Sequence, residues 1–268
     1  MPAIYAHNKY GKLVIPNLSK EIKSVIKKYP YTFRIGLQGP DYLFFYKAFS
    51  KNKINKKGIK YHKNDAFDFI QNAVTVVKSY GTNSPQFSYI LGFICHFALD
   101  MACHPYVNLF MEITGCGHVE IEGDLDQLIL SSEGYLPEYY PMHLLVPVSE
   151  QTASGMAPFY DELSETTIYH CLKWMRLIKR FFIAPGFIKR TAINTVLRLT
   201  LHYKSLKGHV TMPYANKKCR QQAKFLYKTL KASVPNAVFL INNFQNAVME
   251  LEELSEKFHM DFNGEKFY

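Results

Sequence analysis

The segment HFALDMACHPYVNLFMEITGCGHVEIE, His96 to Glu122, sets His96, Asp100, His104, His118 and Glu122, all with metal-binding side chains, at regular spacing in a mostly apolar run. His96, Asp100 and His104 recur at intervals of four, and His118 and Glu122 repeat that interval. In a helix, residues four apart lie about 40° apart around the axis, one turn on. His96, Asp100 and His104 therefore form a single polar stripe on a greasy helix. A carboxylate buried there without a partner is costly, so the stripe calls for a cation. At ~1.5 Å per residue, His96 and His104 stand about 12 Å apart along the axis. One zinc ion with bonds of about 2.0–2.1 Å does not reach both. The stripe suits two or more ions with Asp100 between them. His104, His118 and Glu122 make a three-ligand set that leaves a coordination position open for water.

Helices must hold these side chains, and the rest of the chain reads as helical. Ser84-Pro85 is a cap followed by a first-turn proline, predicting a helix that ends near His104-Pro105. Gly117 to Leu130 carries the second pair. Further helices are expected over Ser19–Lys28, from Pro40 through YLFFYKAF, from Asn64 to Tyr80, and more weakly from Glu150 to Leu163. Thr166–Ile183, Phe187–Leu201, Asn216–Leu230 and Pro235–Phe258 complete the set. Alternating, β-branched strand patterns are nearly absent. The expected class is all-α, a single multi-helix domain over residues 1–268 with about nine or ten helices. With 48% hydrophobic residues, the chain can bury a substantial core.

The five cysteines show no CxxC or zinc-finger spacing, which argues against a disulfide framework and for a reducing compartment. Cys95 and Cys103 read as core residues. The start MPAIYAHNKYGKLVIP lacks the features of a secretory signal, and the nearly apolar run Ile90–Leu99 is too short to span a bilayer. The expected location is cytoplasmic. A formal charge of +10 favours anionic partners: phosphorylated metabolites, nucleic acid or anionic lipid. The charge concentrates in KNKINKKGIKYHK, KWMRLIKRFFIAPGFIKR and NKKCRQQAK, read as a basic loop and solvated helix faces. There is no HExxH and no adjacent His-Asp dipeptide, and the lone ExxH, Glu256 to His259, reads as a surface coincidence.

HxxxDxxxH, thirteen intervening residues and then HxxxE together resemble the bacterial zinc-dependent phospholipase C family, whose fold relatives are the single-strand-specific zinc nucleases. Upstream, His7, Asp41 in LQGPDYLFFY and His62 in KYHKND stand in the family order. The resemblance implies up to three zinc ions. Asp41, His62, His96 and Asp100 would hold the first, and His104, His118 and Glu122 the second. His7 and a bridging Asp100 would hold the third, with the N-terminal amine and carbonyl. Read from the residues alone, Asp41 could instead be a first-turn carboxylate and His62 a solvated loop residue.

The implied activity is hydrolysis of a phosphodiester or phospholipid by zinc-activated water, with Asp41 orienting or deprotonating that water. Tyr42 is a candidate aromatic wall for a quaternary-ammonium headgroup. A nuclease or nucleotidase on the same scaffold is the alternative enzyme, with Phe44, Phe45 and Tyr46 available to stack on bases. A further alternative is a non-catalytic, zinc-stabilised protein that lies on anionic membranes through basic amphipathic helices such as Lys173 to Arg190. Peripheral contact with an anionic membrane is expected on the phospholipase reading too.

Overall fold

A computed structural model describes residues 3–48, 50 and 52–266, the side chains of 204 and 205 excepted. The described residues form α-helices and short 3-10 turns, with no strand beyond an isolated bridge between Met260 and Lys266. The fold is all-α. One hydrophobic core runs from Ala3 to Phe262, and the Pro85–Thr114 helix is its axis.

That helix begins as expected: the Ser84 hydroxyl accepts from the Phe87 N–H at 3.1 Å, and Pro85 fills the first turn. It does not stop at Pro105 but continues to Thr114, where Gly115 ends it in the left-handed region. Proline deprives the Met101 carbonyl of its usual donor. The carboxy-terminal turn packs over that carbonyl, so close that a Cβ on Gly264 would lie 2.8 Å from it. By length and composition this helix could cross a membrane, but most of its apolar stretch is buried against neighbouring helices.

Its tightest neighbour is the short Pro30–Gly36 helix. Gly36 and Gly92 meet at the crossing, where a Cβ on either would fall 2.2 Å from a backbone oxygen of the other helix. This contact anchors the chain just before LQGPD. There Gly39 adopts φ +49°, and a Cβ on it would sit 2.1 Å from the His96 ring. Only glycine permits that pass, and the pass delivers Asp41 to the central helix.

Several local readings change: the helix expected over Pro235–Phe258 ends at Val248, and Pro30 begins the Pro30–Gly36 helix rather than only ending the one before it. Lys53–Lys63 is a helix rather than a basic loop, capped by Asn52, whose side chain accepts from the Asn55 N–H. The stretch after Pro40 is only a 3-10 turn, Asp41–Phe45. Ile4–Val14 forms an additional helix, packed on the central one.

Candidate metal centre

Five elements converge on the middle of the central helix. His7 comes from Ile4–Val14, Asp41 from the 3-10 turn, and His62 from the last turn of Lys53–Lys63. His96, Asp100 and His104 come from the central helix, and His118 and Glu122 from His118–Ser132. All eight residues proposed from the sequence are brought together. Three sets of ligand atoms each lie within 4.8 Å of one another: His7/His96/Asp100, Asp41/His62/His96 and His104/His118/Glu122.

Asp100 occupies the centre. Its Oδ1 is 3.2 Å from His7 Nε2 and 3.7 Å from His104 Nε2, and its Oδ2 is 3.2 Å from His96 Nε2. Asp41 Oδ1 lies 2.8 Å from His62 Nε2. Glu122 Oε1 stands 3.5 Å from His104 Nε2 and 3.3 Å from His118 Nε2. His118 has the most exposed side chain of the eight, at 28%, so the centre opens on its side.

The histidine tautomers test whether this centre fits a metal. Nδ1–H of His62 donates to the Gly58 carbonyl at 2.8 Å, that of His96 to Leu37 at 3.3 Å, and that of His104 to Phe262 at 2.6 Å. A carbonyl only accepts, so each neutral ring turns its Nε2 lone pair inward, as a metal-ligating histidine does. Those lone pairs then face carboxylate oxygens. His96 Nε2, His104 Nε2, Asp100 Oδ2 and Glu122 Oε2 are all buried without a hydrogen bond among the described residues. Each such orphan costs about 1–3 kcal/mol. Opposed lone pairs at these distances require a cation between them, and the residues fit zinc.

Without a metal, protons take that place. Burial disfavours the Asp100 carboxylate, but the imidazoles of His104 and His96 outweigh it and hold its pKa at about 2. Burial also opposes a charged His104, yet Asp100 and Glu122 raise it to about 9. His96, more completely dominated by burial, drops to about 4. Carboxylates held ionised beside a histidine held protonated are a local demand for positive charge.

Tyr42 is a correction. It is fully buried with its ring edge-on to Tyr160, 5.9 Å between centroids, and does not form an open aromatic wall. It faces the core on the short turn that carries Asp41. Phe44 and Phe262 pack against His62 instead, at 5.0 and 4.9 Å. The proposed N-terminal ligand belongs to Met1 or Pro2 and lies outside the described residues.

The sequence reading passed over a second buried set beside the centre. Asp126 accepts the backbone N–H groups of Tyr5 and Ala6 at 3.2 and 2.8 Å, so it fixes the start of the helix that carries His7. Burial lifts its carboxyl to about 7. Lys179, 5% exposed, shares a small cavity with Asp126 and His209 and lies 5.4 Å over the Phe45 ring. Burial lowers its pKa to about 8 against the pull of Asp126, Asp41 and Glu122. His209 stacks on Phe182 at 5.3 Å in the same pocket. One lysine among several basic residues on an amphipathic helix, and a histidine ending a short 3-10 turn, carry no local mark of such a position.

Compared with models of known protein families, residues 6–182, well over half of the chain, match the family described as zinc dependent phospholipase C. No curated protein and no solved structure matches.

Proposed function

We propose that this chain, which belongs to the zinc-dependent phospholipase C family, is a hydrolase of phosphodiester or phospholipid bonds. The observation that supports this most is the shared orientation of His62, His96 and His104. Each has its Nδ1–H committed to a backbone carbonyl and its Nε2 turned toward a carboxylate. His104, His118 and Glu122 would hold one zinc ion, and Asp41, His62 and His96 another. His7 with Asp100 would hold a third, Asp100 standing between sites. Three protein ligands leave a position open, the pattern of a catalytic rather than a structural zinc site. When bound, zinc supplies Lewis acidity: it acidifies water and screens the charge of phosphoryl oxygens.

The chain's own groups do the rest. Asp41 orients the attacking water, or takes up its proton, at its carboxylate. Burial works against its charge, but neighbouring groups, the His62 and His96 imidazoles among them, hold its pKa below the usual carboxylate range and keep it ionised. His62, anchored through Gly58, fixes the orientation of that carboxylate. Lys179 adds a buried amine that interacts electrostatically with Asp126, Asp41 and Glu122.

The test is metal analysis of protein produced with zinc, coupled to hydrolysis of a chromogenic phosphodiester, a chromogenic phosphocholine ester and single-stranded DNA. Two or three zinc ions per chain, with chelator-sensitive cleavage of the diester, are expected. Fewer than two ions and no cleavage of any ester would overturn the reading. Preferential cleavage of DNA would move it to the nuclease branch of the scaffold.

A further inference from the structure

From residue 166 to residue 249 the chain has fifteen lysines and arginines and no aspartate or glutamate; all 22 acidic residues lie elsewhere. The formal charge of +10 is therefore the work of this span alone, and the remainder is net negative. Most of the span lies beyond the residues that match the family, 6–182.

The same span exposes apolar side chains that the core does not use. In the Phe187–Leu199 helix, Ile193 and Leu197 turn inward and are buried. Ile188, Ala192, Val196 and Leu199, at helical spacing, form an opposite stripe open to solvent. Ile188 is 84% exposed and Leu199 79%, with Phe187 at 76% and Leu201 at 92% flanking them. Lys189 and Arg198 are exposed among them. On the preceding helix, Glu165–Phe181, Leu177 and Phe181 are exposed four residues apart. Leu177 also lines an open groove with Leu144, Lys173, Trp174, Arg176 and Arg180.

We propose that this face, centred on the Phe187–Leu199 helix, docks on an anionic phospholipid bilayer. Cations attract an anionic lipid surface, and exposed aliphatic and aromatic side chains then enter the headgroup boundary. The aliphatic residues decide against nucleic acid. Ile188, Leu199 and Leu201 offer neither a stacking ring nor a phosphate contact, so a nucleic-acid face would gain nothing from them. The helix that bears this face borders the His118 helix: Asn194 lines a cavity with Glu120, Gly123 and Asp124. The chain returns from Leu201 to the His118 helix, where Gly208 packs so tightly that a Cβ on it would lie 2.2 Å from the Val119 carbonyl. The inference rests on the hydrolase reading only in naming bilayer phospholipid as the substrate; the docking itself does not need it.

Co-sedimentation of the full chain with vesicles of phosphatidylcholine, alone or mixed with phosphatidylserine, tests this, with and without chelator. Binding only to the mixed vesicles, weakened by salt and insensitive to chelator, is expected. Ile188→Glu and Leu199→Glu should each lower it about tenfold. Both variants should retain the wild-type melting temperature and, loaded with zinc, the wild-type rate on the soluble diester. Equal binding to neutral vesicles, or variants that bind like wild type, would overturn the proposal. So would sedimentation as a dimer that Ile188→Glu converts to monomer without any vesicle binding, or single-stranded DNA binding that matches the vesicles. Vesicle binding without any ester hydrolysis would leave the docking face standing and remove the hydrolase.

Discussion

The Pro85–Thr114 helix and the Phe187–Leu199 helix break the usual pattern of burial in opposite directions. The first hides His96, Asp100 and His104 in an apolar core, and the second shows Ile188, Val196 and Leu199 to water. A buried carboxylate and an exposed isoleucine are both unfavourable in isolation, so each points to something that joins the protein later. For the central helix that is a cation. For the peripheral helix it is, on the docking proposal, a surface that is both apolar and anionic. On these two proposals, the difference separates a catalytic centre, which needs rigid walls, from a docking face, which needs access.

The comparison breaks hardest at Asp100. Asp100→Asn removes the carboxylate shared by His7, His96 and His104 and should lower zinc content by at least one ion per chain and diester hydrolysis by up to about a hundredfold. Vesicle binding should stay at the wild-type level; metal analysis and sedimentation on one preparation check both. Asp41→Asn should cut turnover about a hundredfold while His104, His118 and Glu122 keep their zinc and the melting temperature changes little. Unchanged turnover in the zinc-replete variant would remove Asp41 from proton transfer.

Stability sharpens the contrast. Gly39→Ala forces a side chain into the His96 ring at a positive φ and should cost about 2–4 kcal/mol in denaturant unfolding. Val196→Ala, on the exposed stripe, should change stability by less than about 0.5 kcal/mol. The smallest effect concerns Asp126, whose carboxyl rises from 3.8 to about 7 on folding, chiefly through burial. The folded state therefore holds that proton more tightly than the unfolded chain does. This contribution is complete below about pH 4 and fades as pH climbs to about 7. In metal-free protein, Asp126→Asn should flatten the decline of melting temperature across that window.

Not every element was equally legible. Lys53–Lys63 escaped because a lysine-rich segment with Gly58 inside it has poor intrinsic propensity, and the Asn52 cap and packing on the Asp41 turn stabilise it instead. Pro105 looked like a terminus because local rules count its missing N–H, not the turn at Gly264 that covers the freed carbonyl. Tyr42 looked like a wall because a residue beside a ligand was assumed to share its direction, whereas a 3-10 turn sends adjacent side chains to different sides.

By itself, the sequence determined the helix stripe. Spacing of four on an apolar helix is a local property, so His96, Asp100, His104, His118 and Glu122 declared their chemistry before any fold was known. Only the tertiary structure decided that Asp100 stands between His7 and two other histidines, that Leu37, Gly58 and Phe262 orient the imidazoles, and that Asp126 and Lys179 sit beside them. Those relations join residues far apart in the chain. They follow from how helices pack around one core, and no periodicity encodes which distant carbonyl meets which ring.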